Sequence, residues 1–202
     1  MLDNNTPYVS HVDTKDSYCE LNLDKDNIDN EKLKIAIEIF KNRMDGRFWD
    51  SIGLLRNNLN NDKGLQRYAF AITAIDTLLI ETFAQFRDGR DTTESPNKEK
   101  YAKFLVEEFP QEFCNQTRAE KFYSWIRCGI LHQAQTKNLS GLTYGKDYVI
   151  GYENGYLLVS VDRLTDLLHA WYERYCERLE DTSEDDLRKN FVQKMDYICE
   201  RN

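Results

Sequence analysis

Apolar residues recur three and four positions apart along most of the chain, and in one place the period shortens to two. The first helical series is Leu33, Ile37, Phe40 and Met44, with Asp29 or Asn30 placed to cap a helix opening at Glu31. Asp45-Gly46 predicts a break or kink. Phe48, Ile52, Leu55 and Leu59 then resume the period up to a turn at Asn60-Asn61-Asp62-Lys63-Gly64. The strongest series runs from Leu65 to Arg87. Ala69, Ile72, Ile75, Leu79, Phe83 and Phe86 make this helix apolar around more than half its circumference, as suits the centre of a bundle. Asp88 to Asn97, with Gly89 and Pro96, reads as a polar loop. A shorter helix with Tyr101, Phe104 and Leu105 stops at Pro110, and a longer one is predicted from about Asn115 to Lys137.

The period changes after that helix. Tyr148 to Glu153 and Tyr156 to Val161 are β-prone runs joined by Asn154-Gly155, a pair that supplies the positive φ angles of a type I′ hairpin turn. Asp162 is placed to cap the next helix, which carries Leu164, Leu167, Leu168, Trp171, Tyr175 and Leu179. Ser183, with Asp186 three residues on, resembles a capping box that opens a last helix with Leu187, Phe191 and Ile198. Before the first helix, residues 1–29 show only a short alternation at Cys19, Leu21 and Leu23, which suggests an edge strand in an otherwise loosely held arm. The predicted fold class is mainly α: an antiparallel helical bundle of about six helices with one inserted β-hairpin, about 148–161. The predicted organisation is a loosely ordered acidic N-terminal arm, 1–30, and one helical domain, 31–202, closed by a C-terminal helix over 184–200.

Composition narrows the class without changing this picture. Three Pro and nine Gly exclude a collagen-like or linker chain, and 12% aromatic residues argue for a packed core. The longest apolar run, Tyr68 to Phe86, is interrupted by Asp76 and Glu81, and the N-terminal residues lack the basic head and apolar core of a signal peptide. A cytoplasmic protein without a membrane partner is the expectation. The five cysteines follow no disulfide or zinc spacing, so free thiols are expected. Charge does alter the picture, because it is uneven. The chain is −8 overall, yet residues 98–146 carry eight basic against five acidic side chains. A polyanion would meet the protein there, against the field of the rest.

Phosphate-binding glycine loops, HExxH and GxSxG are absent from the sequence. Asp76 and Glu81 sit on the most apolar helix, where a carboxylate must find a partner or face a cleft. Arg127 and His132 sit on an aromatic, apolar helix within the basic stretch, flanked by Trp125, Ile126, Ile130 and Leu131. Five residues of α-helix correspond to roughly 140° of rotation and 7.5 Å of rise, so the two do not stack on one face. Arginine would close the gap with its long side chain, or a second subunit would supply a matching pair, and Gly129 permits a close helix contact. Arginine offers planar donors to a phosphate, and histidine moves a proton near neutrality. Cys128 and His132 share a face, but no second ligand pair accompanies them, so neither a metal nor a cofactor is expected.

Arg127-Cys128-Gly129-Ile130-Leu131-His132 matches the R-x4-6-H motif of the HEPN (higher eukaryotes and prokaryotes nucleotide-binding) superfamily, small α-helical domains of prokaryotic toxin–antitoxin and defence systems. The surrounding Tyr123, Trp125-Ile126 and Leu131-His132-Gln133, and the long helix ending Ile80-Glu81-Thr82-Phe83, are also similar to members of that family. The resemblance covers about 31–180, with the hairpin as an insertion. It implies a metal-independent endoribonuclease acting as a homodimer, with RNA as substrate and an antitoxin or defence complex as a further partner. Arg127 would neutralise the scissile phosphate, and His132 would transfer a proton as the ribose 2′-hydroxyl attacks. Glu81, Tyr123 and Cys128 would support that site or bind substrate. In one subgroup a Tyr stands two residues after the His; here Ala134 does. The family also contains non-catalytic members, so a helical module for protein interaction or nucleotide binding is the alternative.

Overall fold

The computed structural model describes residues 7–57, 59, 62–91 and 97–200, with backbone alone at 62 and 64–66. Among these the elements are α1 (Lys15–Cys19), α2 (Asn30–Met44), a π-helical turn (Asp45–Trp49), α3 (Asp50–Arg56), α4 (Asp62–Asp88), α5 (Asn97–Glu108) and α6 (Gln116–Lys121). A second π-helical turn (Phe122–Arg127), α7 (Cys128–Gln133), β1 (Ser140–Thr143), β2 (Ile150–Glu153), β3 (Tyr156–Ser160), α8 (Val161–Glu180) and α9 (Asp185–Cys199) follow. The fold is mainly α with a small three-stranded sheet. The chain divides into two compact units, one made of residues 1–51, 85–92 and 173–202, the other of 52–84 and 93–172. Parts of the expected arm (1–6), the predicted turn at Asn60-Asn61 and the loop around Pro96 lie outside the described residues.

In the first unit α2 begins where its cap dictates. The Asp29 carboxylate accepts the N–H groups of Glu31 and Lys32 at 2.9 and 3.1 Å. Leu33, Ile37, Phe40 and Met44 are buried, and Phe40 is the hub of an aromatic cluster with Phe86, Tyr175 and Phe191 at 4.5, 6.1 and 5.6 Å between ring centroids. The kink expected at Asp45-Gly46 is a π-helical turn through which the helix continues. Gly46 is there for a close approach, since a Cβ would lie 2.2 Å from His11 Nδ1. That ring in turn reaches the Asn42 carbonyl at 2.9 Å.

The N-terminal residues differ from the sequence expectation. The edge strand suggested at Cys19–Leu23 does not form: Thr14 and Ser17 make a reciprocal capping box that opens α1, and the chain turns after Cys19. Val9, Tyr18 and Leu23 are buried, and the Tyr18 hydroxyl donates to Asp196 at 3.0 Å. The capping box expected at Ser183 also does not form. Both the N–H and the hydroxyl of Ser183 donate to Asp181 Oδ1 at 2.8 Å, and α9 starts after Glu184 without a side-chain cap.

In the second unit Phe83 stacks on Trp171 at 4.8 Å, and Phe104 meets Trp171 edge-on at 5.4 Å. The hairpin forms as the sequence predicts: β2 and β3 pair antiparallel from Ile150↔Val159 to Glu153↔Tyr156, with Asn154 and Gly155 at φ 50° and 82°. Sequence reading misses β1, which pairs parallel to β3 and places β3 in the middle of the order β1-β3-β2. Its four residues, Ser-Gly-Leu-Thr, carry no alternation to detect. The long helix expected to Lys137 ends at Gln133, because Ala134 turns left-handed at φ 53° and the chain folds back.

The apolar stretch Arg67–Asp88 of α4 is long and apolar enough to cross a membrane by length and composition, yet 56% of its window is buried inside the fold. Asp76 lies within it and is fully buried. Thr165 Oγ1 stands 2.9 Å from both Asp76 Oδ2 and the Val161 carbonyl, and one hydroxyl hydrogen cannot serve both acceptors. Protonation of Asp76 would resolve the conflict. Burial pushes the Asp76 carboxyl up to about 8, against a Thr165 hydrogen bond that favours the carboxylate.

The folded-state value exceeds the unfolded one of about 3.9, so Asp76 contributes stability that is full at acid pH and is lost as pH rises toward 8. We expect unfolding free energy to fall by on the order of 3 kcal/mol between pH 5 and 8 from this group alone. Asp76→Asn should flatten that slope in denaturant titrations; an unchanged slope would show that Asp76 is ionised in the native state.

Candidate functional site

The motif helix is continuous from residue 116 to 133 but changes register inside the motif. Asn115 caps its start, accepting the Arg118 N–H at 2.9 Å. The π-helical turn Phe122–Arg127 then widens the helix immediately before Cys128, whose N–H reaches back to the Tyr123 carbonyl. Such turns concentrate at functional sites because they release backbone from the α-helical ladder and shift side-chain directions. Here the Trp125 carbonyl within the turn accepts the Lys137 N–H at 2.8 Å, so the returning chain is fastened over the helix end. Gly129 makes that return possible: a Cβ would lie 2.5 Å from the Gln135 carbonyl oxygen. The close contact this glycine allows is with the chain's own next segment.

Arg127 projects from the last position of the π turn toward α4. Its Nη2 donates to Glu81 Oε2 at 2.9 Å, and the two side chains are 16% and 22% exposed. The guanidinium lies 5.2 Å from the Tyr123 ring centroid, and Tyr123 meets Tyr101 edge-on at 5.1 Å. Burial disfavours the arginine charge, but the hydrogen bond and charge of Glu81 outweigh it and hold Arg127 above its ordinary range. Burial raises the Tyr123 phenol despite the adjacent guanidinium, and Cys128 contributes to raising both groups. Four of the residues singled out in the sequence, Glu81, Tyr123, Arg127 and Cys128, therefore form one cluster. Glu81 occupies one guanidinium donor only. Nε is buried and makes no hydrogen bond among the described residues, which leaves the fork with donors to offer.

His132 is not part of that cluster. It is exposed in the last turn of α7, beside Leu131 at 43% exposure, and no hydrogen bond among the described residues holds it. The apolar residues that flank it in the sequence do not enclose the histidine. The helix ends one residue later. Of the two ways of joining the pair, the bridge by arginine within one chain is not made, because the guanidinium is turned to Glu81. One chain thus presents an arginine cluster and, separately, an exposed imidazole. Among the described residues no three His, Cys, Asp or Glu side chains converge as metal ligands do.

Sequence reading missed Tyr101, which no polar motif marks, and the pairs Arg118–Tyr152 and Lys121–Trp125, in which cations lie 5.7 and 5.4 Å from ring centroids. The first of these pairs joins the motif helix to β2, thirty-four positions along the chain. Comparison with protein-family models, curated proteins and solved structures finds no match to this chain.

Removing Glu81 leaves a largely buried arginine uncompensated. Glu81→Ala should cost about 1–3 kcal/mol, and the cycle with Arg127→Met should show coupling on the order of 1–2 kcal/mol in denaturant unfolding. Additive effects would show that the ion pair contributes nothing. Gly129→Ala should cost about 2 kcal/mol by forcing the 135–137 segment off the helix, read as a lower melting temperature; an unchanged melting temperature would mean that the return loop yields freely.

Proposed function

We propose that the protein is a metal-independent endoribonuclease of the HEPN type, a prokaryotic defence effector or toxin acting in the cytoplasm. The observation that carries this reading is the Arg127 cluster. A guanidinium is held charged by a single carboxylate contact, retains unused donors, and sits on a π-helical turn five residues before an exposed histidine. In this reading Arg127 neutralises the scissile phosphate of RNA. His132 transfers the proton as the 2′-oxygen forms its bond to phosphorus and the bond from phosphorus to the 5′-oxygen breaks. The 2′-hydroxyl proton goes to a base, the 5′-oxygen leaves with a proton, and a 2′,3′-cyclic phosphate remains. Glu81 fixes the direction of the guanidinium, and Tyr123 and Cys128 wall it.

The separation of the two residues within one chain favours a site shared by two subunits. In a homodimer with the motifs facing each other, the exposed imidazole of one chain meets the arginine cluster of its partner. A cognate antitoxin or defence-complex protein belongs to the same reading.

Incubation with single-stranded RNA in the presence of EDTA should yield fragments with cyclic phosphate ends. Arg127→Ala and His132→Ala should each reduce cleavage by about 10²–10⁴-fold without unfolding the protein. Mixing the two inactive variants should restore part of the activity, because a heterodimer still holds one intact Arg–His pair. Cleavage at normal rate by both variants would remove these residues from the site. A folded wild-type protein that leaves every RNA intact would favour the non-catalytic helical module.

A further inference from the structure

Beside the arginine cluster the motif helix presents a second cationic feature, which the motif does not include. Arg118 and Lys121 line an open concavity of about 450 Å³ together with Cys114, Asn115, Thr117 and Tyr152. Neither cation has a carboxylate partner among the described residues. Arg118 donates to the backbone carbonyls of Glu112 and Ile150 at 3.2 and 3.4 Å and lies over the Tyr152 ring. Lys121 rests over Trp125. The adjacent carboxylate of Glu120 is engaged elsewhere, by Lys98 at 2.8 Å and Gln116 at 3.3 Å. Two positive charges thus stay unneutralised on a chain of net charge −8, in its only net-basic stretch.

Each cation is paired with an aromatic ring, and Tyr152 is 50% exposed. Phosphates require the first kind of group and unstacked bases the second, and their alternation along a groove suits a single strand. The concavity also depends on the β2–β3 hairpin, which carries Tyr152 to the helix. We propose that it is a binding site for single-stranded RNA flanking the cleavage point, with phosphates on Arg118 and Lys121 and bases against Tyr152 and Trp125. The identity of the strand as RNA rests on the ribonuclease reading; the polyanion chemistry does not.

The test measures binding of a short fluorescein-labelled single-stranded RNA by anisotropy over a salt series, on a His132→Ala background so that the strand stays whole. Lys121→Ala should weaken binding and reduce the slope of log affinity against log salt by about 0.7, the signature of one lost phosphate contact. Tyr152→Ala should weaken binding about tenfold with the slope unchanged, and Tyr152→Phe should keep full affinity. Arg118→Ala is the less clean variant because Arg118 also ties Ile150, so Lys121, which holds no backbone group among the described residues, is the deciding one. Affinities of Lys121→Ala and Tyr152→Ala within twofold of the parent would overturn the site, whether or not the wild-type protein cleaves RNA. Loss of affinity in Lys121→Ala alone, with heparin competing as well as RNA, would overturn the base-stacking role and leave a bare polyanion surface. The expected variant effects without any cleavage by the wild-type protein would uphold the site and reject the ribonuclease.

Discussion

A helix that is apolar around most of its circumference can carry a carboxylate in its interior only if something neutralises it, and between its two ends α4 carries two, Asp76 and Glu81. Asp76 is completely enclosed, where burial pushes its carboxyl up, and it meets the Thr165 hydroxyl, which also reaches the Val161 carbonyl. Glu81 lies five residues further on, roughly 140° around the helix, and is paired with Arg127. The second solution creates the candidate site. Because the counter-ion comes from another helix, the Glu81 requirement fixes where Arg127 points and draws Tyr123 and Cys128 in with it. On the function proposed above, a requirement of core electrostatics and a requirement of phosphate chemistry are met by one guanidinium.

The π-helical turns are the other organising feature. Both occur within otherwise continuous helices, and each lies beside a glycine whose missing side chain admits a neighbour. At Gly46 the neighbour is the His11 ring, and at Gly129 it is the backbone of residues 135–137. In the motif helix the consequences are chemical. Tyr123 and Arg127 face each other closely enough for the cation to sit over the ring, the Trp125 carbonyl becomes an anchor for the returning chain, and the helix stops just after His132. The histidine is therefore left at the surface, where a second chain or a substrate can reach it, while the arginine stays largely enclosed.

Much of the fold was legible in local pattern. Asp29 capped its helix, the apolar series of α2, α4, α5 and α8 turned inward, and Asn154-Gly155 made its hairpin, because each depends on side-chain periodicity or on a conformational preference of one or two residues. Elements that depend on partners were not legible. Strand β1 exists because the central strand β3 offers it an edge, α1 because Thr14 and Ser17 cap each other, and Ser183 fails as a cap because Asp181 takes both its donors.

The candidate site divides along the same line. By itself the sequence determined the residue types: an arginine and a histidine in a basic, aromatic helix, and a carboxylate on an apolar helix that had to be compensated. Burial cost attaches to a residue's own chemistry, so that requirement could be read without coordinates. Only the tertiary structure decided that Glu81 meets Arg127, that the imidazole stands apart from both, and that Tyr152 comes to Arg118. The two pairings join positions 46 and 34 residues apart, and they are set by how helices, turns and strands pack, which no local spacing encodes.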